Sequence, residues 1–214
     1  MDLYAFYDVA MARIAEQGKH SSMVVKTALS YIFCARRPLS IDELLHAMSV
    51  EGGETELCED AIPDIQSLLS RSVGLIRTDT GSGSTSLVHH TLQEYLKKYP
   101  GKLVSQPETK LARVCLTYLT FDEFQGGPCN DGESLERRLQ KYCFLGYASS
   151  HWGSHFRENQ DDDEGMGLLQ ELLRDSRKLS SSLQTTHMAP KRRIRGWYNR
   201  FPKASHSIAC CGLL

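Results

Sequence analysis

Few residues in this chain have the types and spacing that chemistry needs. In "HWGSHFRE", His151 and His155 lie four apart and share a face if helical, with Glu158 one turn on. Two imidazoles and a carboxylate can ligate zinc. Gly153 sits between the histidines, however, and the glutamate base of a His-Glu-x-x-His metalloprotease site is missing, so packing or surface histidines beside Trp152 are the expectation. The C-terminus "CCGLL" ends in Cys211-Gly212-Leu213-Leu214. This has the Cys-a-a-X form of a prenylation signal, and Cys210 beside it is a palmitate acceptor. Lys191, Arg192, Arg193, Arg195, Arg200 and Lys203 precede it, interleaved with Trp197, Tyr198 and Phe201. One lipid chain plus such a basic patch suffices for stable anchoring. Gly212 in the first "a" position is a poor fit to the signal.

Other chemistries fail on spacing. A phosphate-cradling loop needs a Gly five residues before Gly-Lys and a Ser or Thr after it. Neither Gly18-Lys19 nor Gly101-Lys102 has them. "GSGS" at 81–84 lies between two strand patterns and reads as a turn. No Gly-x-Ser-x-Gly elbow exposes a nucleophilic serine. The run Asp161–Glu164 lacks the alternating ligands of a calcium loop and reads as a solvated loop. His89 and His90 end a strand, which would turn one inward and one outward. The expectation is no catalytic, cofactor-binding or metal-ligating residue, and no enzyme.

Composition is that of an ordinary globular chain, with 214 residues, 41% hydrophobic, 24% charged and net charge −1. Seven scattered cysteines without a Cys-x-x-Cys pair suit reduced thiols in a cytoplasmic protein, with Cys34 and Cys115 buried as small hydrophobes. The longest apolar stretch, 23–35, is too short to span a membrane and contains Lys26. The N-terminus is not a signal peptide.

The elements that would position these residues are mainly α-helical. Leu3, Tyr7, Ala10 and Ile14 give a first amphipathic helix, and a second covers about 22–35. Pro38 stops it, and Ser40 with Glu43 forms a capping box opening a third helix. "EDAIPDIQSLLSRSVG" predicts a fourth, with Pro63 in its first turn and Gly74 ending it. Strands 75–78 and 86–89 around the Gly-Ser turn form a hairpin, and a helix follows from about 91 to 98. This order is a winged helix, a helix-turn-helix variant whose wing is the hairpin. Beyond it, Leu111, Val114, Cys115, Tyr118 and Leu119 form one apolar stripe, and further helices cover 133–156 and 166–180. The organisation expected is a helical lead-in at 1–20, a winged helix at 21–100, a helical extension at 101–181 and a basic linker at 182–205. DNA recognition through the third winged-helix helix is disfavoured, because Glu59, Asp60 and Asp64 outweigh Arg71 there and the wing offers only Arg77.

"ARRPLSIDELLHAM", "LVHHTLQEYL", "ARVCLTYLTFDEF" and "YASSHWGSHFRE", in this order over about residues 3–160, resemble the winged-helix and helical segment of fungal NACHT-type receptors with ankyrin repeats. That segment takes its label from the winged helix of a GPI inositol-deacylase. The resemblance implies a non-catalytic interaction and relay module, packed on a P-loop NTPase and followed by repeats, with those modules as protein partners in cis or in trans. On this reading "HSIACCGLL" at 206–214 resembles a degenerate start of an ankyrin repeat, and the chain is a fragment lacking the NTPase and repeat domains. Two alternatives remain: a prenylated, polybasic membrane-associated protein, in which Cys211 makes the membrane a partner, and a winged-helix DNA-binding protein.

Overall fold

A computed structural model describes residues 3–157 and 161–188. Glu158, the basic stretch 191–203, Cys210, Cys211 and the ankyrin-like 206–214 lie outside the described residues. The described chain is mainly helical, with one small antiparallel sheet. It divides into two compact units. One joins Met1–Ser49 to Glu59–Pro107, and the other joins Val50–Cys58 to Glu108–Leu214.

The first unit is a winged helix. Helices α1 (Leu3–Glu16) and α2 (Lys19–Cys34) precede α3 (Ile41–Met48) and α4 (Ile65–Arg71). Strands β1 (Ile76–Thr78) and β2 (Thr85–Leu87) form the wing, with Ile76 opposite Leu87, and α5 (His90–Lys98) closes the unit. The capping box forms as expected. Ser40 Oγ accepts from the Glu43 N–H at 3.1 Å, and Glu43 Oε2 accepts from the Ser40 N–H at 2.8 Å. Pro63, by contrast, does not enter the fourth helix. Asp64 caps it by accepting from Ser67 N–H at 2.7 Å, so the helix starts one residue later, at Ile65. Behind α4, Val73 (φ 52°) and Gly74 (φ 76°) both take left-handed conformations to turn the chain into β1. Glycine adopts that region freely, whereas a β-branched residue does so only under strain.

The wing has a third rail. Leu39 C=O accepts from Thr85 N–H at 2.7 Å, and Ile41 N–H donates to Gly83 C=O at 3.0 Å, placing Ser40 opposite Ser84. α1 packs against α2 and α5 within this unit, so it is more than a lead-in. Tyr95, fully buried on α5, lies 5.5 Å from the Tyr4 ring and 5.4 Å from the Tyr7 ring. Its hydroxyl donates to Asp8 at 2.6 Å, which also receives Lys102 Nζ at 2.9 Å. This aromatic packing, with the Tyr95 hydroxyl on Asp8 and the Tyr7 hydroxyl 2.7 Å from Thr91 Oγ1, ties the helix down.

The second unit is all-helical. α6 (Pro107–Leu119) was expected to bury one stripe, yet Ala112, Leu116 and Thr117 are buried beside Leu111, Cys115 and Tyr118. It is an interior helix, not an amphipathic one. The expected 133–156 segment is two helices, α7 (Gly132–Lys141) and α8 (Leu145–Phe156), parted where Tyr142 leaves helical geometry at ψ 69°. Tyr118, Phe121, Phe144 and Tyr147 join in an aromatic chain with centroids 4.8–5.4 Å apart.

The largest departure is at the end. The 166–180 pattern becomes α9 (Asp163–Arg174) and α10 (Ser176–Met188), so residues 182–188, assigned to a linker by their polarity, are helical. Asp175 both ends α9 and caps α10, accepting from Arg177 and Lys178 N–H at 2.9 and 3.1 Å. α10 carries no apolar stripe. It docks through polar side chains that are nonetheless buried: Lys178, Ser181, Ser182, Gln184 and Thr185. The side chains of Lys178, Ser181, Gln184 and Thr185 each find a partner, as burial requires. Arg138 bridges Ser181 Oγ (2.8 Å) and Gly127 C=O (2.9 Å), and Gln184 pairs with both backbone groups of Cys129 at 2.8 Å.

Candidate functional site

The histidine pair of α8 is structural at one end. His155 is fully buried, with Nε2 2.8 Å from the Tyr147 hydroxyl and Nδ1 2.6 Å from Glu108 Oε2. A carboxylate accepts only, so Nδ1 carries a proton toward Glu108, while Nε2 shares its hydrogen bond with the Tyr147 hydroxyl. Both ring nitrogens are engaged, which leaves no lone pair for a metal. His151 lies half-buried with its ring 4.7 Å from Tyr147, and Glu158 lies outside the described residues. Among the described residues, no group of three potential ligands converges. The partner that the sequence reading missed is Glu108. It stands 47 positions away on another helix, and no local spacing signals it.

The acidic run is largely exposed, as a solvated loop would be, but its second half is helical. Asp162 caps α9, accepting from Gly165 N–H at 3.1 Å, while Asp163 and Glu164 occupy that helix's first turn. Carboxylates there complement the helix dipole. The Arg113 guanidinium pairs with both Asp162 and Glu164, and its hydrogen bond holds the Asp162 carboxyl below the usual aspartate range.

Cys34 and Cys115 are buried, and burial pushes the Cys115 thiol far above its ordinary value. Burial raises Cys129 as well, and Cys58 is exposed. His89 and His90 do not split inward and outward. Both are exposed with rings 4.2 Å apart, because His89 leaves the strand to cap α5, its Nδ1 accepting from Thr91 N–H at 3.3 Å.

The helix that a DNA-binding winged helix would insert is α4, the last before the wing. The Glu59–Ala61 turn ahead of it carries Glu59 and Asp60, and Asp64 caps it. At the wing tip Asp79 accepts from Gly81 N–H (3.0 Å) and the Ser82 hydroxyl (2.7 Å), adding a carboxylate that the sequence reading overlooked. Arg71 and Arg77 are the cations of α4 and the strands. Arg77 Nε is directed to Ser86 Oγ at 3.2 Å. Phosphate recognition needs the opposite sign of charge. What remains for contact is apolar: Leu3, Phe6 and Val9 on one side of α1 are 45%, 50% and 49% exposed.

With helix order, wing and charge established, comparison with known families is decisive for one segment. Residues 11–106 match the family described as "GPI inositol-deacylase, winged helix domain". Over that segment, a little under half of the chain, the sequence is similar to this family's winged-helix domain. The match runs from α1 through α5 to the threshold of α6, and so covers most of the first unit. Neither a curated protein nor a solved structure matches the chain. Among the described residues, no helix is long and apolar enough to cross a membrane.

Proposed function

We propose that the chain is a non-catalytic interaction module, in which the winged-helix domain and its helical companion relay or stabilise the state of a signalling NTPase. The NTPase and ankyrin-type repeats act in cis or in trans, as in the fungal NACHT receptors that the sequence resembles. The observation that carries this reading is the exposed apolar stripe Leu3, Phe6 and Val9 on α1, at the amino-terminal edge of the winged-helix domain. Contiguous exposed apolar side chains on a folded domain mark protein contacts. The acidic α4 surface supports the reading by opposing a nucleic-acid role.

The test is cross-linking mass spectrometry on the native protein captured with an antibody to residues 20–157. Cross-links from α1 to a segment containing Gly-x4-Gly-Lys-Ser/Thr, altered between ADP and a non-hydrolysable ATP analogue, are expected. Cross-links that never reach such a segment, or that ignore the nucleotide, overturn the proposal.

A further inference from the structure

The 50–58 loop, which joins α3 to the turn before α4, belongs to the second compact unit. Two contacts within that unit hold it. Thr55 C=O accepts from Asp122 N–H at 2.8 Å. At Gly52 the backbone runs so close to α9 that a Cβ there would stand 3.0 Å from Glu164 Oε1, and Glu164 is itself held by Arg113. The Asp122 carboxylate in turn receives Lys178 Nζ of α10 at 3.1 Å and Gln125 Nε2 at 2.7 Å. The same ammonium donates to Thr120 C=O, at the carboxyl end of α6, where a cation complements the helix dipole. Lys178 is 5% exposed, so its charge is satisfied by these groups rather than by bulk water. It bridges the Thr120–Asp122 corner and so sets the direction of the Asp122 N–H that carries Thr55.

α10 is also the element of this unit held by the least apolar burial. Its Leu179 and Leu183 are half-buried, whereas α6 buries Leu111, Cys115, Leu116 and Tyr118 completely. Polar pairs exchange for bonds to water at little net cost, while uncovering apolar area is expensive. The docked state carries a cost besides. Ser149 of α8, whose C=O accepts from Thr186 at 3.0 Å, buries its hydroxyl without a partner among the described residues.

We propose that α10 is a strap that opens as a unit while α6 and α8 stay folded, and that its opening releases the 50–58 loop between α3 and α4. Local openings of this kind start where buried apolar contacts are fewest. The closed strap fixes Asp122, and through it Thr55. The open strap takes Lys178 away from both ends of the Thr120–Asp122 corner, and the loop loses its anchor. A pull on α10 is thereby felt in the connection between two helices of the winged helix. The device is a moving part inside this chain and goes beyond the relay reading, since it needs no NTPase to operate.

The experiment is amide exchange on the isotope-labelled full chain, followed by NMR over about 0–1 M urea. In the parent, the amides of Leu183 in α10 and of Asp122 are expected to exchange through one opening. Their protection should be equal, roughly tenfold or more below that of Leu116 and Tyr118 in α6, and should fall less steeply with urea. Lys178→Met keeps most of the volume and removes the charge. It should speed exchange at Leu183 and Asp122 by the same factor, about tenfold, the worth of a hydrogen bond to a charged group, and leave Leu96 of α5 unchanged. Protection and urea slope at Leu183 equal to those at Leu116 would overturn the strap. So would Asp122 exchanging independently of Leu183, in the parent or in the variant. The parent measurement decides alone if Lys178→Met does not fold. None of these outcomes depends on an NTPase, so the strap and the relay reading fail separately.

Discussion

Replacing Gln184 with Met measures how α10 is held. Gln184 is 4% exposed, and its amide both accepts from and donates to Cys129, each at 2.8 Å. Methionine keeps the volume and the helix propensity, so the change isolates two hydrogen bonds. At about 1 kcal/mol net per bond, and with half-buried Cys129 able to recruit some water, the loss comes to about 2 kcal/mol. A small unit with a urea slope of about 1–1.5 kcal/mol/M would then unfold about 1.3–2 M earlier. Trp152, buried on α8, reports the second unit by fluorescence once Trp197 is replaced by Phe. Amide exchange at Cys129 should accelerate in parallel. A midpoint within about 0.3 M of the parent, or unchanged Cys129 protection, would refute the claim that polar pairing seats this helix.

Other outcomes follow from the same geometry. Ser40→Ala removes one half of the capping box and should cost the first unit about 1 kcal/mol in chemical denaturation. Val73→Asn, better suited to φ 52°, should raise the melting temperature of that unit, and a fall would show the strain to be absent. The depressed Asp162 carboxyl stabilises the fold above the unfolded value near 4, and the benefit is lost as pH falls through the lower folded value. The gap between the parent and Arg113→Ala should therefore be present at pH 7 and shrink as the pH falls below about 4, and a pH-independent gap would contradict it. Burial lowers the pKa of His46, so its neutral form is favoured when folded and stability should decline as pH drops below about 6.5. Replacing His46 with Gln should flatten that slope. Thiol mapping of the native chain should label Cys58 while Cys115 stays protected until unfolding.

What the sequence disclosed was local or periodic. Ser40 and Glu43 are three residues apart, and their box forms whatever surrounds it. The wing announced itself through a Gly-Ser turn between short β-prone runs. Contacts that close over distance were hidden. Glu108 meets His155 across 47 positions, and Arg113 orders an acidic run that by itself looks solvated. α10 was missed for a related reason. A helix is read from an apolar stripe, and this one buries serine, threonine, glutamine and lysine against partners that only the fold supplies. The third rail of the wing, Leu39–Ile41, is too short and too close to Pro38 to register as a strand.

The most direct test of the relay account is the intact mass of the native protein, captured from its own cells with an antibody to residues 20–157. The account predicts either a species several times the 24.1 kDa of these 214 residues, with a P-loop domain in the same polypeptide, or a 24 kDa species that brings an NTPase with it. A lone 24 kDa species without an NTPase would contradict the account. A mass reporting loss of the residues after Cys211 and gain of an isoprenoid would assign the chain to a membrane surface instead.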